Sequence, residues 1–309
     1  MVYTLNASEI GKIIKELRLR RGLSQQALAK GICTQPHISN IENGREMPSG
    51  FILYLLSKKL RVNVKYLFDS HNDSNIPYKN NIKFIVHSFI QENDFDQVIK
   101  ILDEESHLFK APEDQQFLLW AKAISHYYSY KDFHFSFMLL KTSLRKTCKC
   151  LKFCSEQELT IMNSISILLS ESGQNRKALR ILKWTYRHIH RHYYIEDRTL
   201  PIKNIYALAR SLSRNHDYHA CIHYCSQGIE QCLKYNSLYL FGELYYEKGL
   251  NHYFLHQHQA ALEDFEQAIM LFKLKKQYNF QRFVEMKIKE FKLGVHCNQD
   301  RKEGEFTPL

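Results

Sequence analysis

Glycine and proline are scarce in this chain, 11 and 6 among 309 residues, which excludes a collagenous, glycine-rich or disordered protein. Long apolar runs are missing too. The longest, Phe51 to Leu56, falls far short of the ~20 residues a membrane-spanning helix needs, and the N-terminus lacks the basic, apolar and small-residue succession of a secretion signal. A soluble, cytoplasmic protein without a membrane partner is expected. Eight cysteines are too dilute for a disulfide scaffold and read as reduced thiols in cores. There is no glycine-rich phosphate loop, no HExxH and no GxSxG, so no catalytic residue and no cofactor is assigned and the chain is not expected to be an enzyme. Acidic residues are the last shortage: 32 Asp and Glu face 43 Lys and Arg, a formal charge of +11 that favours an acidic partner, nucleic acid first.

What is present divides the chain in two. Residues 1–69 carry eleven Lys and Arg against five Asp and Glu, so more than half of the net charge sits in the first fifth of the sequence, a compact basic module suited to a phosphate backbone. Apolar spacing predicts five short helices there. The first carries Ile10, Ile13, Ile14 and Leu17 and ends at Gly22. Ser24 caps the second, Gln25 to Lys30, with Leu28 and Ala29 inward and Gly31 closing it. Thr34 caps the third, Gln35 to Asn43, where Ile38 and Ile41 share one face and Gln35, Pro36, His37, Ser39 and Asn40 stay outside; Pro36 falls in the first turn, where its missing N–H costs little. Ser49 opens a fourth with Ile52, Leu55, Leu56 and Leu60, and Val64, Leu67 and Phe68 mark a fifth. Residues 69–80, polar and aperiodic with one proline, read as a linker.

Two helices joined by a three-to-four-residue turn, the second polar outside, have the geometry that sets a recognition helix in the major groove. The string from Arg21-Gly22-Leu23-Ser24-Gln25 through Gln35-Pro36-His37-Ile38-Ser39-Asn40 to Pro48-Ser49 resembles the Cro/repressor-type helix-turn-helix over residues 9–68. The resemblance implies that Gln25 bonds a phosphate, that Gln35 and His37 read base edges, that Ser39 lies on the same face, and that Asn40 reaches a base or a phosphate. Pro36 stands where Ser or Thr is commoner and cannot donate a hydrogen bond. Lys58, Lys59 and Arg61 form either a phosphate-contacting patch or a solvated face.

From residue 80 onward the pattern is helical and repeats. Second-helix marks recur at Phe95/Val98/Leu102, Phe133/Ser136/Leu140/Ser143, Asn175/Ala178/Leu182/Thr185, Tyr218/Cys221/Cys225/Gly228 and His258/Ala261/Phe265/Ala268, five units with room for a helical hairpin each. With Trp120 and Tyr127, or Tyr245, Gly249 and Tyr253, on the preceding helices, the units are similar to the tetratricopeptide repeat, though longer than its ~34 residues. The expected fold is all-α: a five-helix head followed by a right-handed superhelix of about five hairpins, closed by a helix at Phe280 to Phe291 and a polar tail at 297–309. The first helices of such hairpins build a concave wall suited to extended peptide. Projection of the pattern places Lys122, Asn163, Lys203, Tyr206, Arg210, Glu243 and Tyr246 on that wall, with Asn204 replacing its neighbour if the frame slips by one. Asn can pair with a peptide N–H and C=O together, and Lys or Arg can hold a carboxylate.

Other constellations are weaker. Cys148-Lys149-Cys150 with Cys154 has metal-like density, and Cys221/Cys225 and His252/His256 each share a helix face, but none forms a second pair at zinc spacing; core thiols and surface histidines, with no metal, are the reading. The His188, His190, His192 run beside Arg187 and Arg191 reads as a solvated basic face.

The two modules in this order resemble the RRNPP family of peptide-sensing quorum regulators, within it the PlcR/Rgg branch. The short Gly31–Gln35 turn and the run Gly242 to Gly249 favour that branch. The resemblance implies domains at 1–68 (helix-turn-helix, DNA-binding), 81–296 (repeats, peptide-binding and dimerisation), the linker at 69–80 between them, and a homodimeric transcription regulator that binds a palindromic operator in double-stranded DNA and is controlled by a short signalling peptide. Two other readings stay open from the residues alone: a protein-interaction scaffold, and a ligand-independent repressor whose repeats serve only dimerisation.

Overall fold

The computed structural model describes residues 7–69, 76–191 and 195–292; among these there are sixteen α-helices, two short 3-10 turns and no strand. No helix in them is long and apolar enough to cross a membrane. The chain divides into two compact units, Met1–Ser88 and Phe89–Leu309.

The first unit holds α1 (Ala7–Arg20), α2 (Gln25–Ala29), α3 (Gln35–Glu42), α4 (Gly50–Lys59) and α5 (Val64–Asp69). None of these is long enough to stand alone in water. What holds them is a shared core in which Ile10, Ile14, Leu28, Ile38, Ile41, Leu56, Leu60 and Leu67 are fully buried, each worth about 1.5–3 kcal/mol relative to exposure. Ser24 Oγ accepts from Ala27 N at 3.0 Å and Ser49 Oγ from Ile52 N at 3.3 Å, as their cap positions predict. Thr34 has the extended backbone of an N-cap, but its side chain makes no capping bond. On α4 and its C-cap the buried apolar residues are Leu53, Leu56 and Leu60, while Ile52 and Leu55 are half-buried: Leu56 and Leu60 lie in the core as expected, and Leu53 joins them there with Ile10, Ile14, Ile38 and Ile41, leaving Ile52 at its edge.

The expected linker is shorter than residues 69–80. Asp69 closes α5, and Ile76 already begins α6 (Ile76–Glu92); a proline is tolerated in the first turn of a helix, so Pro77 belongs to a start rather than to a break. Residues 70–75, His192 and the tail at 297–309 lie outside the described residues.

The second unit continues through α7 (Phe95–Glu105), α8 (Pro112–Tyr130), α9 (Phe133–Thr147), α10 (Glu156–Glu171), α11 (Asn175–Arg191), α12 (Thr199–Arg214), α13 (Tyr218–Lys234), α14 (Phe241–Phe254), α15 (His258–Leu274) and α16 (Tyr278–Lys292). The five second-helix marks in the sequence, Phe95, Phe133, Asn175, Tyr218 and His258, are the first residues of α7, α9, α11, α13 and α15. A common turn explains this. Two positions before each lies a left-handed residue, Asn93, Lys131, Gly173, His216 and His256, and at three of them the next residue, Asp94, Asp132 or Asp217, caps the following helix with its carboxylate. A left-handed non-glycine residue is costly; the cap and the packing of the hairpin offset it.

Successive helices pack in order from α7 to α16, and α10 also touches α8 and α12, while α12 touches α14. The first helices of the hairpins therefore lie side by side as one wall. Backbones approach closely where a side chain is missing: a Cβ at Gly228 would stand 2.8 Å from Leu244, and one at Gly249 3.0 Å from the Phe265 ring.

The same device operates in the first unit, where a Cβ at Gly11 would fall on the Ile41 carbonyl oxygen of α3. Gly11→Ala is expected to push α1 off α3 and to cost at least ~1–3 kcal/mol. Gly50→Ala, at a helix start with open space around it, should be neutral or stabilise by about 0.4–1 kcal/mol. Urea denaturation of the two variants, followed by helicity, checks the contrast.

Candidate functional site

In the first unit, α2 and α3 are joined by residues 30–34 and present one polar face. Gln35 and Pro36 are exposed, and Gln25, His37, Ser39 and Asn40 are half-buried at its edge. Beneath the face lies an ion pair. Arg18 and Glu42 are 7% and 4% exposed; the guanidinium meets the carboxylate at both oxygens, Nε to Oε1 at 2.6 Å and Nη2 to Oε2 at 2.9 Å, and its Nη1 donates to the Leu23 carbonyl at 2.8 Å. Gln25 Nε2 donates to Glu42 Oε2 at 2.9 Å, and Gln35 Nε2 donates to Gln25 Oε1 at 2.8 Å. The chain of bonds runs from a buried charge to the exposed start of α3, so the Gln35 amide is held before any partner arrives. Burial pushes the Glu42 carboxyl up, but the Arg18 and Gln25 hydrogen bonds outweigh it and the group stays below its ordinary value.

His37 places Nδ1 3.3 Å from Glu46 Oε1, while its Nε2 is buried without a partner. Ser39 Oγ accepts from Asn43 at 3.4 Å. The structure thus brings Gln25 and Gln35 into contact and turns His37 toward Glu46. Arg18, Glu42 and Glu46 were missed in the sequence reading; the signal available was a buried-face position on each helix occupied by opposite charges.

In the second unit the wall of first helices carries a buried polar row. Asn204 Nδ2 on α12 donates to Asn163 Oδ1 on α10 at 3.0 Å, so the expected wall residue Asn163 is joined to the neighbour of Lys203 that a one-residue slip of the frame would select, and Asn204 Oδ1 remains without a partner. Lys203 sets its ammonium 5.2 Å from the Tyr239 ring centroid; burial lowers its pKa against the opposing charge of Asp197. Tyr206 is buried, and the Arg210 guanidinium lies 5.7 Å from its ring centroid. Burial pulls the Arg210 pKa down, yet Tyr206, Glu247 and Glu171 around it raise it overall. Glu247 and Glu171 are themselves pushed up by burial, with Arg210 opposing, and Tyr128 Oη donates to Glu171 at 3.3 Å. Glu243 stands 3.6 Å from Lys275 with one buried carboxylate oxygen unpartnered. A cavity of about 290 Å³ opens beside it, lined by Gln91, Asn93, Tyr239, Lys275 and Phe280.

Two further expected wall residues have other surroundings. Lys122 is exposed on α8. Tyr246, half-buried, packs its ring against Phe265 and Phe283, centroids 5.8 and 5.6 Å away, in the core that seats α16. Glu171, Glu247, Tyr128, Tyr239 and Lys275 were missed. Tyr128 and Glu171 are 43 residues apart, so the repeat period, applied to polar as well as small positions, could have found them.

The profile of the RNPP family C-terminal domain matches residues 79–292. The chain belongs to the RNPP family. A helix-turn-helix profile matches residues 14–67, the stretch that contains the polar face of α2 and α3. No match is found among curated proteins. Among solved structures, this RNPP chain is similar to PlcR from Bacillus thuringiensis in complex with the peptide PapR7 and DNA, with 24% identity and a TM-score of 0.82, covering 90% of this chain and 99% of that one. It is also similar to ComR from S. thermophilus in complex with DNA and its signalling peptide ComS, at 16% identity and a TM-score of 0.68, covering 92% and 99%. The SHP pheromone receptor Rgg2 from Streptococcus dysgalactiae follows at 19% identity and a TM-score of 0.57, covering 91% and 99%. At these identities the likeness concerns the fold.

The depressed Glu42 value has a defined consequence. A carboxyl whose folded pKa lies below its unfolded one contributes full stability above the unfolded value, about pH 4.3, and loses it as pH falls through the folded value. Glu42→Gln is therefore expected to lower stability near neutral pH by roughly 3–5 kcal/mol, since Arg18 is left buried without its charge partner, and to flatten the acid limb of the pH profile. Denaturation of wild type and variant between pH 3 and 7 measures both.

Proposed function

We propose that this protein is a sequence-specific DNA-binding transcription regulator, acting as a homodimer in the cytoplasm, whose repeat domain binds a short signalling peptide that controls operator engagement. It works by binding and not by catalysis. The observation that carries this reading is the joining in one chain of an RNPP C-terminal domain and a helix-turn-helix whose outer polar face is braced from below. The peptide and DNA held by the PlcR and ComR structures support the same two ligand classes here.

On the DNA side, Gln35 and His37 read base edges, Asn40 a base or phosphate, and Gln25 and Ser39 flank them; a well-placed amide on an adenine edge discriminates by about 1–3 kcal/mol. Pro36 offers only apolar contact. Because Gln25 is tied to Glu42 and Gln35, its contribution is one remaining N–H toward phosphate. In the repeats, Lys203 and Arg210 hold a peptide carboxylate, the Asn163–Asn204 pair reads its backbone, Glu243 takes a positive group, and Lys122 extends the wall. A dimer sets two recognition helices about 34 Å apart, and a peptide shifts that arrangement only by its differential affinity for the two states.

Selection of duplexes from a random DNA pool tests the reading. The purified protein, with and without a pool of short synthetic peptides, is expected to enrich a two-fold symmetric motif, and the Gln35→Ala/His37→Ala/Asn40→Ala variant to lose it. The peptides retained should bind Arg210→Ala at least ~10-fold more weakly by calorimetry, the loss of one charge-assisted contact. Enrichment of no motif under either condition, or equal peptide affinity in the variant, overturns the corresponding half of the proposal.

A further inference from the structure

Outside both sites, three metal-ligating side chains converge at the crossing from α9 to α10. Cys148 Sγ, Cys154 Sγ and a Glu158 carboxylate oxygen all lie within 4.8 Å of one another. They come from a rigid frame. Cys148 is the C-cap of α9, Cys154 follows the 3-10 turn Leu151–Phe153, and Glu158 is the third residue of α10. Cys154 and Glu158 are 3% and 4% exposed and Cys148 is half-buried.

Glu158 is aimed by its surroundings. Its Oε2 accepts from Ser155 N at 2.8 Å in a capping box, and its Oε1 accepts from Thr147 Oγ1 at 2.6 Å; Thr147 is in turn bonded by Gln116 Nε2 at 2.7 Å. These partners are neutral donors, and Cys154 Sγ itself donates to the Leu151 carbonyl at 3.4 Å. An orienting outer layer of this kind is what metal-binding carboxylates have. Bonds of ~2.3 Å to sulfur and ~2.0 Å to oxygen in a tetrahedron separate the donors by roughly 3.5–3.8 Å, so donors already within 4.8 Å of one another need to close by at most about 1.3 Å. Cys150, exposed and two residues after Cys148, is the next thiol along the chain.

Two comparable clusters lack this character. Cys221 and Cys225 bring their sulfurs to 4.0 Å, but no third ligand joins them among the described residues. Asp264 beside His252 already holds the Lys248 ammonium at 2.9 Å.

We propose that Cys148, Cys154 and Glu158 form a site for a thiophilic divalent cation of the zinc type, with Cys150 completing a tetrahedron. On binding, each thiol releases its proton to solvent as its sulfur donates a lone pair to the ion, and no electron is transferred. The ion would tie the end of α9 to the first turn of α10, the helix that carries Asn163.

The test uses the full-length protein, reduced with a phosphine, stripped of metal and titrated with cobalt(II). One equivalent is expected to produce thiolate-to-cobalt charge-transfer absorption with the ligand-field bands of a tetrahedral ion, and zinc(II) to bleach both. Cys148→Ser should lose part of the charge-transfer intensity, Glu158→Gln should weaken binding by about 10-fold or more, and Cys221→Ser/Cys225→Ser should behave as wild type. Far-UV circular dichroism establishes that each variant keeps its helices, and Trp184, packed on the same cluster, reports zinc directly in a Trp120→Phe background. Absence of the thiolate band in the reduced wild type, a Cys148–Cys154 disulfide as the only reaction of these thiols, or loss of the band in Cys221→Ser/Cys225→Ser overturns the site. A spectrum unchanged in Cys150→Ser overturns Cys150 as the fourth ligand.

Discussion

A helical hairpin cannot cover both of its apolar sides, and that constraint governs most of this molecule. Each pair in the second unit is completed only by the next one laid on it, so helices must approach where side chains are small: Gly228 under Leu244 between successive hairpins, and Gly249 under Phe265 and the Ala261 backbone within one. Stacking in that way has a second effect. It sets the first helices edge to edge and draws their polar residues, Asn163, Asn204, Arg210, Glu171 and Glu247, out of water into one row. Burial of charge is costly unless the charges meet, and the row meets that condition only because Arg210 stands among Tyr206, Glu171 and Glu247.

The first unit solves the same problem at smaller scale. Its helices are too short to persist singly, and one buried ion pair, Arg18 with Glu42, joins the beginning of the fold to the end of α3. The pair does more than close a core. Through Gln25 it fixes Gln35, so the side chain at the start of α3 is ordered by an interaction two residues removed from it, and ordering before contact reduces what binding must spend in side-chain entropy.

Much of this was legible in the sequence, for reasons that differ by level. Helix starts were readable because capping and turn chemistry are local: Ser24 and Ser49 cap where expected, and the marks at Phe133 and Tyr218 begin their helices after an aspartate. The linker was misread because Pro77 signals a helix start as readily as a break. On α4, Leu53 replaced Leu55 in the core because several apolar residues compete for one face and only the neighbouring helices decide. Site residues were least legible. Spacing put Tyr206 and Arg210 on one wall, but spacing along a helix does not say whether a tyrosine such as Tyr246 will be claimed by Phe265 and Phe283 from elsewhere. Glu158 beside Cys148 and Cys154 is a tertiary event for the same reason: the thiols are close in sequence, but their direction depends on the turn before α10.

The electrostatics of the wall constrain what it can hold under the proposed reading. Burial favours the neutral form of Lys203 on α12 and also of Glu243 on α14. A ligand carboxylate placed by Lys203 would favour the ammonium form, and a ligand cation placed by Glu243 would favour the carboxylate, so each contact gains strength from the desolvation that the free protein bears. Reversal of the ligand would set like charges together in a low-dielectric wall and lose both gains. Under that reading, direction of binding would be selected by two residues on adjacent helices, and a peptide, which carries one charge at each end, is a ligand whose own chemistry can satisfy that order.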